Sequence, residues 1–193
     1  EIANLISIIR KEKGKKLTVI INNELSNLKM DGMKFTIVLE GKKEKSIIGK
    51  DQVFFQLRNN NLAVQDLEKV ASGGELSRIL LALKVSLVTQ TSGLALIFDE
   101  IDRGIGGATA EAVGGRLSIL SKKEQILLVT HSPQVASKAN KHWRVIKKIT
   151  NEGLPISSIR ELDKNDTKRE LGRMISGKTI TKEAIAAAEK LMP

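Results

Sequence analysis

Cysteine is absent from the 193 residues, which removes disulfides, thiolate metal sites and cysteine nucleophiles from consideration and fits a reducing compartment. Tyrosine is also absent and aromatics make up only 3% of the chain, which argues against a single-strand nucleic-acid binder built on base stacking. No apolar run approaches the roughly 20 residues needed to span a bilayer. The opening Glu1-Ile2-Ala3-Asn4 lacks the basic-then-apolar layout of a secretory signal. The expectation is a cytoplasmic protein with no membrane partner, and the missing initiator Met reads as a piece of a longer chain. Lysine, by contrast, is plentiful: 32 Lys and Arg against 22 Asp and Glu leave a net charge of +10. A surplus of that size points to a polyanionic partner such as nucleic acid or nucleotide. The cations are scattered, however, in groups at 11–16, 42–45, 138–148 and 164–169, and a lysine-solvated surface accounts for them equally well.

Hydrophobic residues at 41% allow one sizeable core or two small ones at this length. Apolar spacing over residues 1–29 suits an amphipathic helix interrupted near Gly14, with Val19-Ile20-Ile21 leaving a strand open there. Alternation at Phe35, Ile37 and Leu39 and the run Val53 to Leu57 predict two strands, separated by an exposed loop from Gly41 to Lys50. From Glu75 to Val88 a stripe of Leu76, Ile79, Leu80, Leu83 and Leu87 predicts a helix. Short apolar strands follow at 94–98 and 125–130, with a helix from Thr109 to Leu120 between them. Ser132-Pro133 has the signature of an N-cap followed by Pro at the first helical position. A strand pair around Asn151-Glu152-Gly153 and two closing helices, 166–175 and 181–191, complete the pattern. Strands that are continuously apolar and alternate with helices predict an α/β fold, a mostly parallel sheet flanked by helices on both faces.

Three local features carry chemistry. Ser72-Gly73-Gly74-Glu75 stands immediately before a helix, where Ser and Glu three residues apart form a capping box. The two glycines leave first-turn amides open to an anion at the positive end of the helix dipole. Taken alone, the motif reads more readily as a capped helix after a glycine turn than as an anion site. The second feature is the acid-tipped strand Leu94 to Glu100. Ligands of open α/β sheets gather outside the carboxyl ends of strands. There Asp99 is suited to hold Mg²⁺ through water, and Glu100 to orient or deprotonate an attacking water. The third is His131, placed by the second apolar strand at the same sheet edge, where its imidazole can hydrogen-bond a terminal phosphate. His142 sits among lysines and reads as a surface residue. Helix start, acid-tipped strand, the glycine-rich 103–107, helix, strand and His follow one another at compact spacing, an order that favours function over coincidence.

In that order the sequence resembles the ABC ATPases, and within them the SMC-like branch, in particular bacterial members of it that act in DNA double-strand break repair and recombination. Ser72 to Glu75 resembles the signature motif, Leu94 to Glu100 resembles Walker B with its catalytic Glu, and His131 matches the switch histidine. Two positions depart from the wider pattern. Ala71 stands where most ABC proteins have Leu, and Gly106 where the SMC-type loop after Walker B usually has Asp. No Gly-x-x-x-x-Gly-Lys-Ser/Thr occurs in the 193 residues, so the phosphate-cradling P-loop is missing.

The resemblance therefore implies the C-terminal lobe of an ABC/SMC-type ATPase head. Residues 1–29 would be the end of a coiled-coil helix running into the head, and 30–193 the lobe itself. It implies ATP and Mg²⁺ as cofactors once an N-terminal P-loop lobe is present, a homodimer of heads sandwiching ATP, DNA as a partner, nucleoid association, and no hydrolysis by the lobe alone. Ser72, Gly73, Gly74 and Glu75 would contact nucleotide, Asp99 would hold the metal, and Glu100 and His131 would be catalytic. Two other readings stay open. A metal-dependent nuclease could use Asp99, Glu100 and Asp102, and a non-enzymatic module could dock on DNA through its basic faces. A helicase, which the acidic box also suggests, should carry a P-loop upstream and a Ser-Ala-Thr-like motif downstream, and neither is here.

Overall fold

The computed structural model describes residues 1–193 except 61, 70–72, 88–94, 100, 150–152 and 193, and except the side chains of 43–45 and 68. The chain opens with one unbroken helix, α1 (Ile2–Asn27), about 39 Å long at the usual rise of about 1.5 Å per residue. The expected interruption at Gly14 does not occur. A lone glycine costs a helix only about 1 kcal/mol relative to Ala, and Gly14 lies over Ile37 of the following strand. The strand left open at Val19-Ile20-Ile21 is helix as well, because Ile21, Leu25 and then Leu28 are buried in the core. Tertiary burial outweighs the weak β preference of branched side chains. The first half of α1 is different, with Ile2, Leu5, Ile8 and Ile9 exposed.

Strands β1 (Met33–Ser46) and β2 (Gly49–Asn59) form a long antiparallel hairpin, extended on the far side by β3 (Gln65–Asp66). The predicted loop from Gly41 to Lys50 is instead strand on both sides of a two-residue turn, with a register shift between Gly41 and Ser46. The polar composition that suggested a loop reflects an exposed hairpin tip, where Ile47 and Ile48 also face solvent. Phe35 secures this sheet to α1. It is buried and stacks on Phe55 at 5.8 Å between ring centroids. Its backbone is bracketed by Asn22, whose amide oxygen accepts from the Phe35 N–H and whose amide nitrogen donates to the Phe35 carbonyl, both at 2.9 Å.

A single 3-10 turn (Leu67–Lys69) precedes α2 (Gly73–Leu87). The buried face of α2 is Gly74, Arg78, Ile79, Leu81 and Ala82, whereas Leu80 and Leu87 are exposed. The helix is thus rotated from the stripe its leucines suggest. Its inner face is built around a glycine and an arginine, which a count of large apolar residues passes over. After α2 come β4 (Ala95–Asp99), α3 (Gly107–Leu120) and β5 (Gln125–Val129), and β4 pairs with β5 in parallel. α4 (Pro133–Ala136) is short and has the expected Ser132 cap with Pro at its start. β6 (His142–Ile149) and β7 (Pro155–Leu162) pair antiparallel, and α5 (Lys164–Ser176) and α6 (Lys182–Leu191) close the chain.

The α/β class stands, with parallel pairing confined to β4 and β5 among the described residues. One large core joins α1, the first hairpin, α2, β4, α3 and α4; a small satellite lies around Ala136, Leu171 and Ala188. Gly172 permits the second of these, since a Cβ there would stand 2.9 Å from Ile185 Cδ1 of α6. The β6–β7 hairpin is held to α5 by Arg144, 3.3 Å from Glu170. Both strands expose apolar side chains, among them Trp143, Val145, Ile149 and Ile159.

Candidate functional site

β4 and β5 end flush. Their register pairs Asp99 with Val129, so the turn after β4 and the His131 turn leave the same edge of the sheet. The two strands are not covered on both faces as their apolar runs suggest. Phe98 is buried in the core, and Leu96, Ile126 and Leu128 pack against it. The opposite face presents Ile97 at 71% exposure, Leu127 at 46% and Val129 at 57%, with Asp99 on the same side. Alternate residues of a strand point to opposite faces, so this exposed face is as apolar as the buried one. Asp99 is exposed at its carboxyl end.

The turn that follows is tightly held. Ile101 and Asp102 are fully buried. Asp102 reaches across to the end of β5, where its Oδ2 accepts from the Thr130 hydroxyl at 2.6 Å, from the Ser132 N–H at 2.9 Å and from the His131 N–H at 3.3 Å. The His131 Nδ1 lies 3.7 Å from the same oxygen, and the His131 side chain is 71% exposed. An exposed imidazole therefore stands on a backbone pinned from below. Burying a carboxylate this deeply is costly unless it is well hydrogen-bonded; these contacts offset part of that cost, all of them at Oδ2.

On the other side of the turn lies the start of α2. Arg78, buried in the helix face, donates to the carbonyls of Ile101 at 3.4 Å and Arg103 at 3.5 Å. Burial pulls its pKa down, against a smaller upward pull from Glu75. Gly74 allows a close approach, because a Cβ there would stand 3.1 Å from the Arg103 carbonyl oxygen, a tight contact. Gly73 by contrast faces open space. The glycine-rich loop turns through left-handed backbone at Gly104 (φ +73°) and Gly107 (φ +51°), while Gly106 is extended and caps α3.

Among the expected site residues, the structure therefore brings the Gly73-Gly74 helix start, the turn after Asp99 and His131 to one end of the β4–β5 pair. Glu75 lies in the first turn of α2. Ser72 and Glu100 lie outside the described residues, and so does the capping box that Ser72 would complete. Two residues acquire parts that sequence reasoning did not give them. Asp102, a metal ligand in the nuclease reading, is buried and committed to the β5 end, and no group of three or more His, Asp or Glu suited to a metal occurs among the described residues. Arg78 was passed over, although its spacing of four from Gly74 places both on one helix face. His142 is half-buried rather than superficial, and its pKa is lowered, chiefly by that burial, with a hydrogen bond to the Ala139 backbone opposing.

No protein-family model matches the chain. Among solved structures it is similar to an Smc head domain with coiled coil and joint from Pyrococcus yayanosii. That likeness has a TM-score of 0.62 and 18% identity and covers 84% of this chain and 29% of that one. It is similar also to a structure described under ATP-driven dimerization and DNA-stimulated activation of SMC ATPases, with a TM-score of 0.56 and 17% identity, covering 90% of this chain and 99% of that one. The fold is that of the SMC ATPase head.

The sequence is more specific. It is 40% identical over its full length to the DNA repair protein RecN of Rickettsia prowazekii. It is 38% identical to the RecN of Xylella fastidiosa strain 9a5c over 98% of the chain, and 34% identical to that of a Synechocystis species over 97%. The chain matches RecN proteins and spans about a third of the length of these relatives.

Proposed function

We propose that this chain is the signature-bearing half of an ATP-hydrolysing head in a RecN-type DNA repair protein, completed by a lobe that carries the P-loop. The observation that carries the reading is the bare apolar face of β4 and β5, ending in Asp99 and flanked by His131. Isolated exposed apolar residues are ordinary, but a contiguous sheet face of Ile97, Leu127 and Val129 marks a docking surface. The P-loop lobe fits as its occupant, since it would bring the phosphate cradle to the strand ends where Asp99 and His131 stand. The exposed first half of α1 suits the end of a coiled coil, continuing from the head as far as residue 29.

ATP with Mg²⁺, when bound, supplies the reactive phosphoryl group and neutralises its charge. The chain's own residues divide the remaining work. Asp99 is exposed at a strand terminus, where a carboxylate can meet a hydrated metal ion. Glu100, next in the chain, takes the proton of the attacking water. His131 offers its exposed imidazole to the terminal phosphate. Ser72 and the amides of Gly73 and Gly74, with Glu75 in the first helical turn, present the positive end of α2 to a nucleotide held by a second head, so the working unit is a homodimer. Arg78 ties that helix start to the turn after β4, and each head thus couples its signature to its own acids. DNA association draws on the dispersed cations, and hydrolysis cycles the heads between closed and open.

The docking surface is tested by Ile97→Lys. A lysine here stays solvated in the free lobe but must be desolvated in the assembled head. Association with the P-loop lobe, measured by analytical ultracentrifugation, should weaken by at least about 10-fold. Unaltered association would remove this face from the interface.

A further inference from the structure

Asp102 has no place in the chemistry just described, although it is the most deeply buried carboxylate near the site. Among the described residues, the polar contacts of its side chain run to one short segment: the Thr130 hydroxyl, the N–H groups of His131 and Ser132, and the His131 ring, every one through Oδ2. Its other oxygen is buried without a hydrogen-bond partner among the described residues. A residue whose only task was to cap the turn after β4 would have no reason to reach across to the next strand. We propose that Asp102 is the positioning residue of His131, holding the backbone on which the imidazole stands and lying beside Nδ1 so that Nε2 is turned toward the nucleotide.

Three features converge on this. The anchor is fully buried while the ring it holds is mostly exposed, so the ring's placement depends on its backbone. The hydrogen bonds fix the residues on both sides of His131 as well as His131 itself, which constrains its φ and ψ. The Asp102 carboxylate stands 3.7 Å from Nδ1, an attraction that favours the ring orientation with Nε2 facing outward. Because Asp102 belongs to the turn immediately after Asp99 and Glu100, the same contacts lock the acid-bearing turn and the histidine turn into one unit. The inference rests on the ATPase reading given above.

The test is a double-mutant cycle in the full-length protein, joined to amide hydrogen exchange of the nucleotide-free form. Asp102→Asn should raise exchange at His131 and Ser132 by at least about 10-fold. It should lower kcat for ATP by about 10–100-fold, the usual scale for losing an orienting partner, with KM changed by less than about threefold. In a His131→Ala background the same change should cost no more than about twofold further, because its effect passes through the histidine. Losses that multiply in the double variant, an unaltered exchange rate, or an unaltered kcat would each overturn the proposal.

Should Asp102→Asn fail to fold, Thr130→Val decides. A kcat loss of about 3–10-fold that His131→Ala absorbs supports the proposal, and no loss or a multiplying one overturns it. A wild-type protein that hydrolyses ATP and loses that activity with Glu100→Gln, while Asp102→Asn is silent, sinks only the role of Asp102. A wild-type protein without ATPase activity sinks the whole reading.

Discussion

Glu100→Gln in the full-length protein should slow ATP hydrolysis by roughly 10²–10⁴-fold, the contribution of a general base, with nucleotide binding retained. Glutamine keeps the shape of the side chain and one acceptor oxygen but cannot take a proton at neutral pH. The loss should therefore fall on kcat and leave KM nearly unchanged. The described residues on either side of Glu100 are well anchored. Asp99 ends the paired strand β4, and Ile101 and Asp102 on its other side are completely buried. The Ile101 carbonyl is held by Arg78. Single-turnover hydrolysis separates the outcomes: trapped, unhydrolysed ATP in the variant supports the assignment, and wild-type turnover refutes it.

The largest effect on stability should come from Phe35→Ala. Truncating a fully buried phenylalanine costs about 3–5 kcal/mol through lost transfer energy and the cavity left behind. Phe35 stands where α1 meets the first hairpin, so little nearby is free to collapse into the space. Asn22 fixes its backbone from one side and Phe55 covers its ring from the other. Phe55→Ala provides the contrast. Phe55 is 43% exposed, so its truncation should cost less than half as much. Urea unfolding of the two variants with a common m-value measures the difference. Equal midpoints would mean that α1 and the hairpin are not joined through this ring.

What was legible in the sequence was whatever has a local cause. Ser132-Pro133 announced its short helix because a hydroxyl cap and a fixed φ act within one turn. β6 and β7 were visible on either side of a glycine turn. The sheet edge of the candidate site followed from two short apolar runs that each end in chemistry-bearing residues. What was hidden depends on packing at a distance. The rotation of α2 escaped notice because its buried face carries Gly74 and Arg78, which seat the helix on the turn at 101–103, while Leu80 and Leu87 face out. The polar stretch from Gly41 to Ser46 reads as loop by composition, yet it is strand, paired with β2 at Gly41 and again at Ser46 across a register shift. The bare face of β4 and β5 could not be foreseen either. An apolar strand shows that something covers it, and only the fold shows that the described residues leave this face exposed. Asp102 was hidden for a similar reason, since a third acid after Asp99-Glu100 looks like part of a surface cluster until the end of β5 is placed over it.

The measurement that tests the central claim most directly is ATP hydrolysis by this chain alone and by this chain mixed with the P-loop lobe of the same protein. The account predicts no hydrolysis by the chain alone and a rate in the mixture that approaches that of the full-length protein. Hydrolysis by the chain on its own, or none in the mixture while the full-length protein is active, would contradict it.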